Sequence, residues 1–197
     1  MSRPEIILVA GLGRCGTSLM MQMLAAGGVP CVGLWPSFED QDHNSLRRSD
    51  PASWQAQAAG RAVKLLDPHR APPPAGPDYR VLWLFRDWSE QARSQLKVVG
   101  VDQGRGNRKR MERQLRRETE AAGSALDAVD AWRGRRMVVP FDCLLLRPRE
   151  MAGLIAVHLG RDLDADAMVS CVVARAPACL PYLLEPTLVA MRQGGMA

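Results

Sequence analysis

Apolar positions along the 197-residue chain come in short bursts separated by helical stripes, so strands and helices are expected to alternate. Residues 6–10 (IILVA) form an unbroken apolar run rich in β-branched side chains, which predicts a parallel strand buried on both faces. Leu19, Met20, Met23 and Leu24 then fall at helical spacing, and Gly27-Gly28 closes that helix. A short second strand is expected over residues 29–32 (VPCV), with Pro30 confining it to an edge or a strand start. Residues 33–51 carry no periodicity and read as a polar loop; residues 52–60 read as a short helix and 61–66 (RAVKLL) as another strand. Four prolines within residues 71–77 mark a surface connector too short to separate domains.

The second half repeats the alternation. Residues 79–85 (YRVLWLF) are a strong buried-strand signal, followed by a helix over 89–98 with Ser89 as its cap and a break over 100–107. Met111, Leu115, Ala122, Leu126 and Val129 stripe a long helix predicted over 108–132. A further strand is expected at 135–141, with Pro140 marking its end or an edge strand, then a helix over 149–159 closed by Gly160. Short helices are expected around Pro177, Pro181 and Pro186. The pattern implies an α/β fold, a parallel sheet flanked by helices, in one domain spanning 1–197.

Composition narrows the class. No apolar run approaches membrane-spanning length, and the start lacks a signal peptide's layout, so a cytoplasmic protein with no membrane partner is the expectation. The formal net charge is +5 at a sequence pI near 9.3, and it is carried by Arg, Lys occurring only at 64, 97 and 109. Arg suits fork-like recognition of phosphate or sulfate oxygens, although the same excess suits nucleic acid. Five cysteines form no C-x-x-C pair and no His/Cys cluster, which disfavours zinc and favours free thiols. Cys15 is the one with two readings. A helix N-terminus and Arg14 can depress its pKa and activate it, or it is simply a small residue in a tight loop.

The candidate chemistry begins between the first strand and the first helix. Gly11, Gly13 and Gly16 surround Arg14 and Cys15, and Thr17 and Ser18 open the helix. A glycine-rich loop at a helix N-terminus cradles anions, because unpaired N–H groups and the helix dipole both favour them. A Walker A loop would require Lys at position 17, where this chain has Thr; its cation stands earlier, at Arg14. That arrangement resembles the phosphosulfate-binding loop of sulfotransferases. Gly13, Arg14, Cys15, Gly16, Thr17 and Ser18 match it, Cys15 standing where the family has Ser. A second resemblance joins it: Arg86 ends a strand and Ser94 follows eight residues later in a helix. A third, over residues 138–160, supports the fold. The C-terminal Arg-Lys-Gly motif of the cytosolic enzymes is absent, Arg175 and Arg192 lying in a different context.

The resemblance implies a three-layer sandwich like that of P-loop NTPases. It also implies transfer of a sulfuryl group from 3′-phosphoadenosine 5′-phosphosulfate to a hydroxyl or amine of a small-molecule or glycan acceptor. Arg14 would stabilise the leaving 5′-phosphate, Thr17 and the loop N–H groups would hold that phosphate, and Arg86 with Ser94 would hold the 3′-phosphate. No metal is expected, since Arg and amides answer the donor's charge. A general base is expected among Glu39, Asp40, Asp42 and His43, with His43 closest to the required pKa. Lys64 can reach the same cleft, although a strand-end lysine usually points to water.

Two rivals stand beside this reading. A P-loop kinase or nucleotidase would use Asp87 or Asp142, each at the end of an apolar strand, to hold a metal. A nucleic-acid module would use the cationic run from Arg105 to Arg117, but no aromatic residue interleaves it and Glu112 and Glu118 break its charge.

Overall fold

The computed structural model describes residues 5–129, 131 and 136–173. Arg175, Cys179 and Arg192, the expected C-terminal helices, and the predicted helix and strand ends at Trp132 and Arg135 lie outside the described residues. Four strands, β1 (Ile6–Gly11), β2 (Ala62–Leu66), β3 (Tyr79–Phe85) and β4 (Arg136–Pro140), form one parallel sheet in the order β2-β1-β3-β4. Every residue of β1 is buried, as an apolar strand covered on both faces must be.

Strand alternation divides the core in two. Ile7, Val9, Leu82, Leu84 and Val139 point to one face, where they meet α1 (Thr17–Ala26), α6 (Phe141–Leu146), α7 (Pro148–Leu159) and α8 (Ala165–Ser170). Ile6, Leu8, Ala10, Val63, Leu65, Val81 and Trp83 point to the other, against α3 (Pro51–Ala58), α4 (Trp88–Val98) and α5 (Arg105–Ala128). Helix, sheet and helix thus form three layers.

Four expectations are corrected. Residues 29–32 make no strand: Cys31 forms only an isolated bridge to Ala62, with Pro30 accepting the Ala62 N–H, so the segment touches the edge of β2 without joining the ladder. The segment 33–51, read as loop, contains helix α2 (Gln41–Ser49), because Asp40 caps it by accepting from the His43 N–H at 2.8 Å. Helix α4 is capped by Asp87, whose Oδ1 accepts from the N–H groups of Ser89 and Glu90, and not by Ser89. Phe141–Leu146, inside the expected strand-to-helix passage, is the short helix α6. No described helix is long and apolar enough to cross a membrane.

The topology sets where a crevice forms in such a sheet. Chain flow from β2 to β3 passes over β1, so β1 and β3 border the switch in strand order, and crevices form outside the carboxyl ends of such strands. The glycine loop follows β1, and Arg86 follows β3.

Candidate functional site

Glycine is enforced in the loop by space as well as by dihedral angle. Gly16 has φ 106°, and a Cβ there would lie 2.4 Å from the Phe141 ring. A Cβ on Gly11 would lie 2.5 Å from Cys15 Sγ and 2.9 Å from the Leu84 carbonyl oxygen. Gly16 also stands at the cap position of α1, where no side chain caps the helix and no acidic residue occupies the first turn. By contrast, α2, α3, α4 and α8 each have an Asp carboxylate on their first N–H groups. The amino end of α1 therefore keeps its anion-binding capacity.

Helix α4 lies against this loop through one face. Gln91 and Gln95 each donate a side-chain N–H to the Gly13 carbonyl oxygen, at 2.8 and 3.0 Å. Between them, Ser94 Oγ accepts from Arg14 Nε at 3.1 Å. Arg14 sits at φ 68°, the left-handed region that few L-residues adopt. Arg86, from the end of β3, donates from Nη1 to the Arg14 carbonyl oxygen at 3.4 Å and lies 4.9 Å from the centroid of the Phe141 ring. Arg14, Arg86 and Ser94 thus converge, although Ser94 contacts Arg14 where the sequence paired it with Arg86.

Two carboxylates intrude on this anion cradle. Glu90 Oε2 accepts from both Nε and Nη2 of Arg86, at 3.3 and 3.2 Å. Asp67, in the turn after β2, accepts the Gly13 N–H at 3.2 Å. Any anion drawn to Arg86 would compete with Glu90 for it. An anion in the loop must also tolerate Asp67.

Cys15 settles on its inert reading. The side chain is buried among the core residues that pack under α1, and burial pushes its thiol up to about 12. Thr17 is buried in the first turn, and Ser18 faces β2. There Lys64 corrects the expectation of a solvent-pointing lysine. It shares the inward face of β2 with Ala62, is 5% exposed, and donates to Ser18 Oγ at 2.9 Å, the Ser37 carbonyl oxygen at 3.0 Å and Glu39 Oε1 at 2.6 Å. A buried ammonium is tolerable only when its N–H groups are so satisfied.

The base candidates separate accordingly. Glu39 keeps a half-exposed carboxylate, tied to the first turn of α1 through Lys64 and Ser18. Asp40 is engaged in capping α2 and Asp42 is exposed in that helix's first turn. His43 does not face the crevice. It is 2% exposed, stacked on Trp54 with ring centroids 5.2 Å apart, and its Nε2 lies 3.3 Å from the Trp54 carbonyl oxygen; burial lowers its pKa. An imidazole packed this way is a core residue, out of an acceptor's reach.

Among the described residues, no group of three or more His, Cys, Asp or Glu side chains is placed to hold a metal ion. Of the kinase reading's two carboxylates, Asp87 is engaged as the α4 cap and Asp142 stands in the first turn of α6. The cationic run lies along α5, with Arg105, Lys109, Arg110, Arg113 and Arg117 exposed, Arg108 near Glu112, and Arg116 over the Trp88 ring. Lys64, Glu90, Gln91, Gln95 and Asp67 complete the site but carry no motif. Only the alternation that turns Ala62 and Lys64 to the same face offered a clue in the sequence.

No family model and no curated protein matches the sequence. Solved structures do match. The sulfotransferase domain of the Synechococcus olefin synthase superposes with a TM-score of 0.56 over all of this chain and 90% of that domain, at 16% identity. A sulfotransferase from Mycobacterium tuberculosis gives 0.54 over all of this chain and 77% of that one, at 17% identity. The sulfotransferase domain of the curacin biosynthetic pathway gives 0.51 over all of this chain and 93% of that domain, at 14% identity. At these identities the likeness is one of architecture: the chain has the sulfotransferase fold.

Proposed function

We propose that the protein is a sulfotransferase that moves a sulfuryl group from 3′-phosphoadenosine 5′-phosphosulfate to a hydroxyl or amine of a small acceptor, with the chain acting as one domain. The observation that carries this reading is the meeting of Arg14, Arg86 and Ser94 beside an uncapped α1 N-terminus. Two guanidinium groups, a hydroxyl and a helix N-terminus without a side-chain cap suit a ligand with phosphates at two ends. The residues suit the donor once Arg86 is released from Glu90 and the loop phosphate is accommodated beside Asp67.

In the proposed reaction the bond between sulfur and the donor's 5′-phosphate oxygen breaks as a bond from sulfur to the acceptor oxygen or nitrogen forms. The loop N–H groups, including those of Cys15 and Gly16, and Thr17 hold the 5′-phosphate, and Arg14 offsets the negative charge that develops on its leaving oxygen. Such a transfer depends on positioning and charge stabilisation more than on covalent help from the protein. Arg86 and Ser94 hold the 3′-phosphate. Glu39 takes the acceptor's proton, and Lys64 positions Glu39 against the first turn of α1.

Ser94→Ala tests the donor assignment. Loss of its hydroxyl is expected to weaken adenosine 3′,5′-bisphosphate by about 1 kcal/mol, roughly fivefold, and to weaken adenosine 5′-monophosphate less, through the freed Arg14 alone. Equal losses for the two ligands would assign Ser94 to general anion attraction instead.

A further inference from the structure

We propose that the acceptor is a hydroxylated small molecule carrying an anionic group, a carboxylate or a phosphate, held in the cleft between α2 and the turn after β2. This rests on the sulfotransferase reading above. The cleft has a volume of about 350 Å³ and is lined by Gln41, Asn44, Ser45, Arg48, Arg70 and Ala71. That is room for a molecule of about the size of a hexose, at the small end of ligand pockets.

Its position follows from two connections. Gln41, Asn44, Ser45 and Arg48 stand at i, i+3, i+4 and i+7, so they form one face of α2, and α2 begins two residues after Glu39. The opposite wall, Arg70 and Ala71, continues the turn that abuts the glycine loop, where the Asp67 N–H donates to the Gly11 carbonyl oxygen at 3.0 Å and Asp67 Oδ1 accepts the Gly13 N–H at 3.2 Å. The two walls of the cleft thus start two residues after Glu39 and three residues after Asp67, which itself bonds to the glycine loop.

Its chemistry names the ligand class. Two carboxamides and a hydroxyl donate to and accept from hydroxyl groups, and two guanidinium groups recognise a carboxylate or phosphate. No aromatic or branched aliphatic side chain lines the walls, and the apolar surface there comes from Ala71 and the carbon stems of the polar side chains, whose heads give the site its directionality. Among the described residues Arg48 has no carboxylate within ion-pair distance; one of its N–H groups goes to the Arg70 carbonyl oxygen. Arg70 shares its charge with Glu118 at 3.2 Å. Arg47, next to Arg48, donates to the carbonyl oxygens of Asn44 and Ala71 and adds a third positive charge close by.

Calorimetry of the protein saturated with adenosine 3′,5′-bisphosphate, which blocks the phosphate loop, tests this with four probes: glucuronate, glucose 6-phosphate, glucose and 2-naphthol. The two anions are expected to bind at least tenfold more tightly than glucose, and 2-naphthol more weakly than either anion. Arg48→Ala and Arg70→Ala should each cut the anions' affinity about fivefold or more while leaving glucose and the bisphosphate unchanged; Arg48→Lys should retain most of the preference. Equal affinity for glucose and the anions, tightest binding by 2-naphthol, or no effect of either alanine variant overturns the proposal. Failure of the unmodified protein to bind the bisphosphate strikes the sulfotransferase reading instead, and the same four titrations on the unloaded protein then report on the cleft by itself.

Discussion

Arg14 Nε donates to Ser94 Oγ at 3.1 Å, across 80 residues of sequence, and that bond ties the loop after β1 to the second turn of α4. The loop cation is held in place before any ligand arrives, by the residue proposed to contact the far end of the donor. Such preorganisation lowers the ordering cost of binding. Arg14→Ala and Arg86→Ala should each weaken adenosine 3′,5′-bisphosphate by about 1.5–3 kcal/mol, roughly ten- to a hundredfold, with circular dichroism unchanged. Unaltered affinity in both variants would remove the donor site.

Glu90 should act as a brake on the same site. Its carboxylate holds two N–H groups of Arg86 that a phosphate would need. The pair is partly exposed, so its strength is at most about 1 kcal/mol. Glu90→Gln is accordingly expected to tighten bisphosphate binding by up to about fivefold, measured by calorimetry at low salt. Weaker binding would mean that Glu90 orients Arg86 for its ligand instead.

Lys64 is predicted to matter more for turnover than for donor binding. Lys64→Met removes the shared partner of Ser18, Ser37 and Glu39 while keeping most of the buried volume. The expected result is a fall in kcat of tenfold or more with bisphosphate affinity changed less than threefold. Loss of both in proportion would make Lys64 a donor ligand.

The sheet and its order of elements were legible because apolar bursts and helical stripes are local signals. Residues 6–10, 61–66 and 79–85 needed only their own composition to read as strands. The cradle was legible for a similar reason: Gly11, Gly13, Gly16 and Arg14 lie within six residues. What escaped was decided by distant parts of the chain. His43 reads as a base in a polar loop until Asp40 caps a helix and Trp54 arrives to stack on it. Lys64 reads as exposed until Ser18 and Glu39 supply acceptors from other elements. Val29–Val32 has strand composition, but Pro30 removes a donor and only one bridge forms.

His43 also makes a pH prediction with a definite sign. Its folded pKa lies below the ordinary value because burial disfavours the imidazolium, and His158 is lowered for the same leading reason. Both contributions to stability are complete above about pH 6.5 and are lost as pH falls through the folded values, since the unfolded chain then binds more protons. Urea unfolding from pH 7 to pH 5 should show falling stability, and His43→Asn should flatten that slope. An unchanged slope in the variant would leave His158 and other groups to account for it.

Cys15 should resist thiol reagents in the native state, being 1% exposed with its thiol pushed up to about 12. Mass spectrometry after brief alkylation at neutral pH is expected to find Cys143 modified before Cys15, Cys143 being less buried. Early modification of Cys15 would require the loop to open readily.

Calorimetric titration of adenosine 3′,5′-bisphosphate in the presence of a metal chelator, beside ATP with magnesium, tests the donor site most directly. The arginines and N–H groups around the loop after β1 predict micromolar or tighter binding of the bisphosphate without any metal, and markedly weaker binding of ATP with magnesium. Binding of ATP that appears only with magnesium, together with no heat from the bisphosphate, would contradict the account and favour a phosphotransferase.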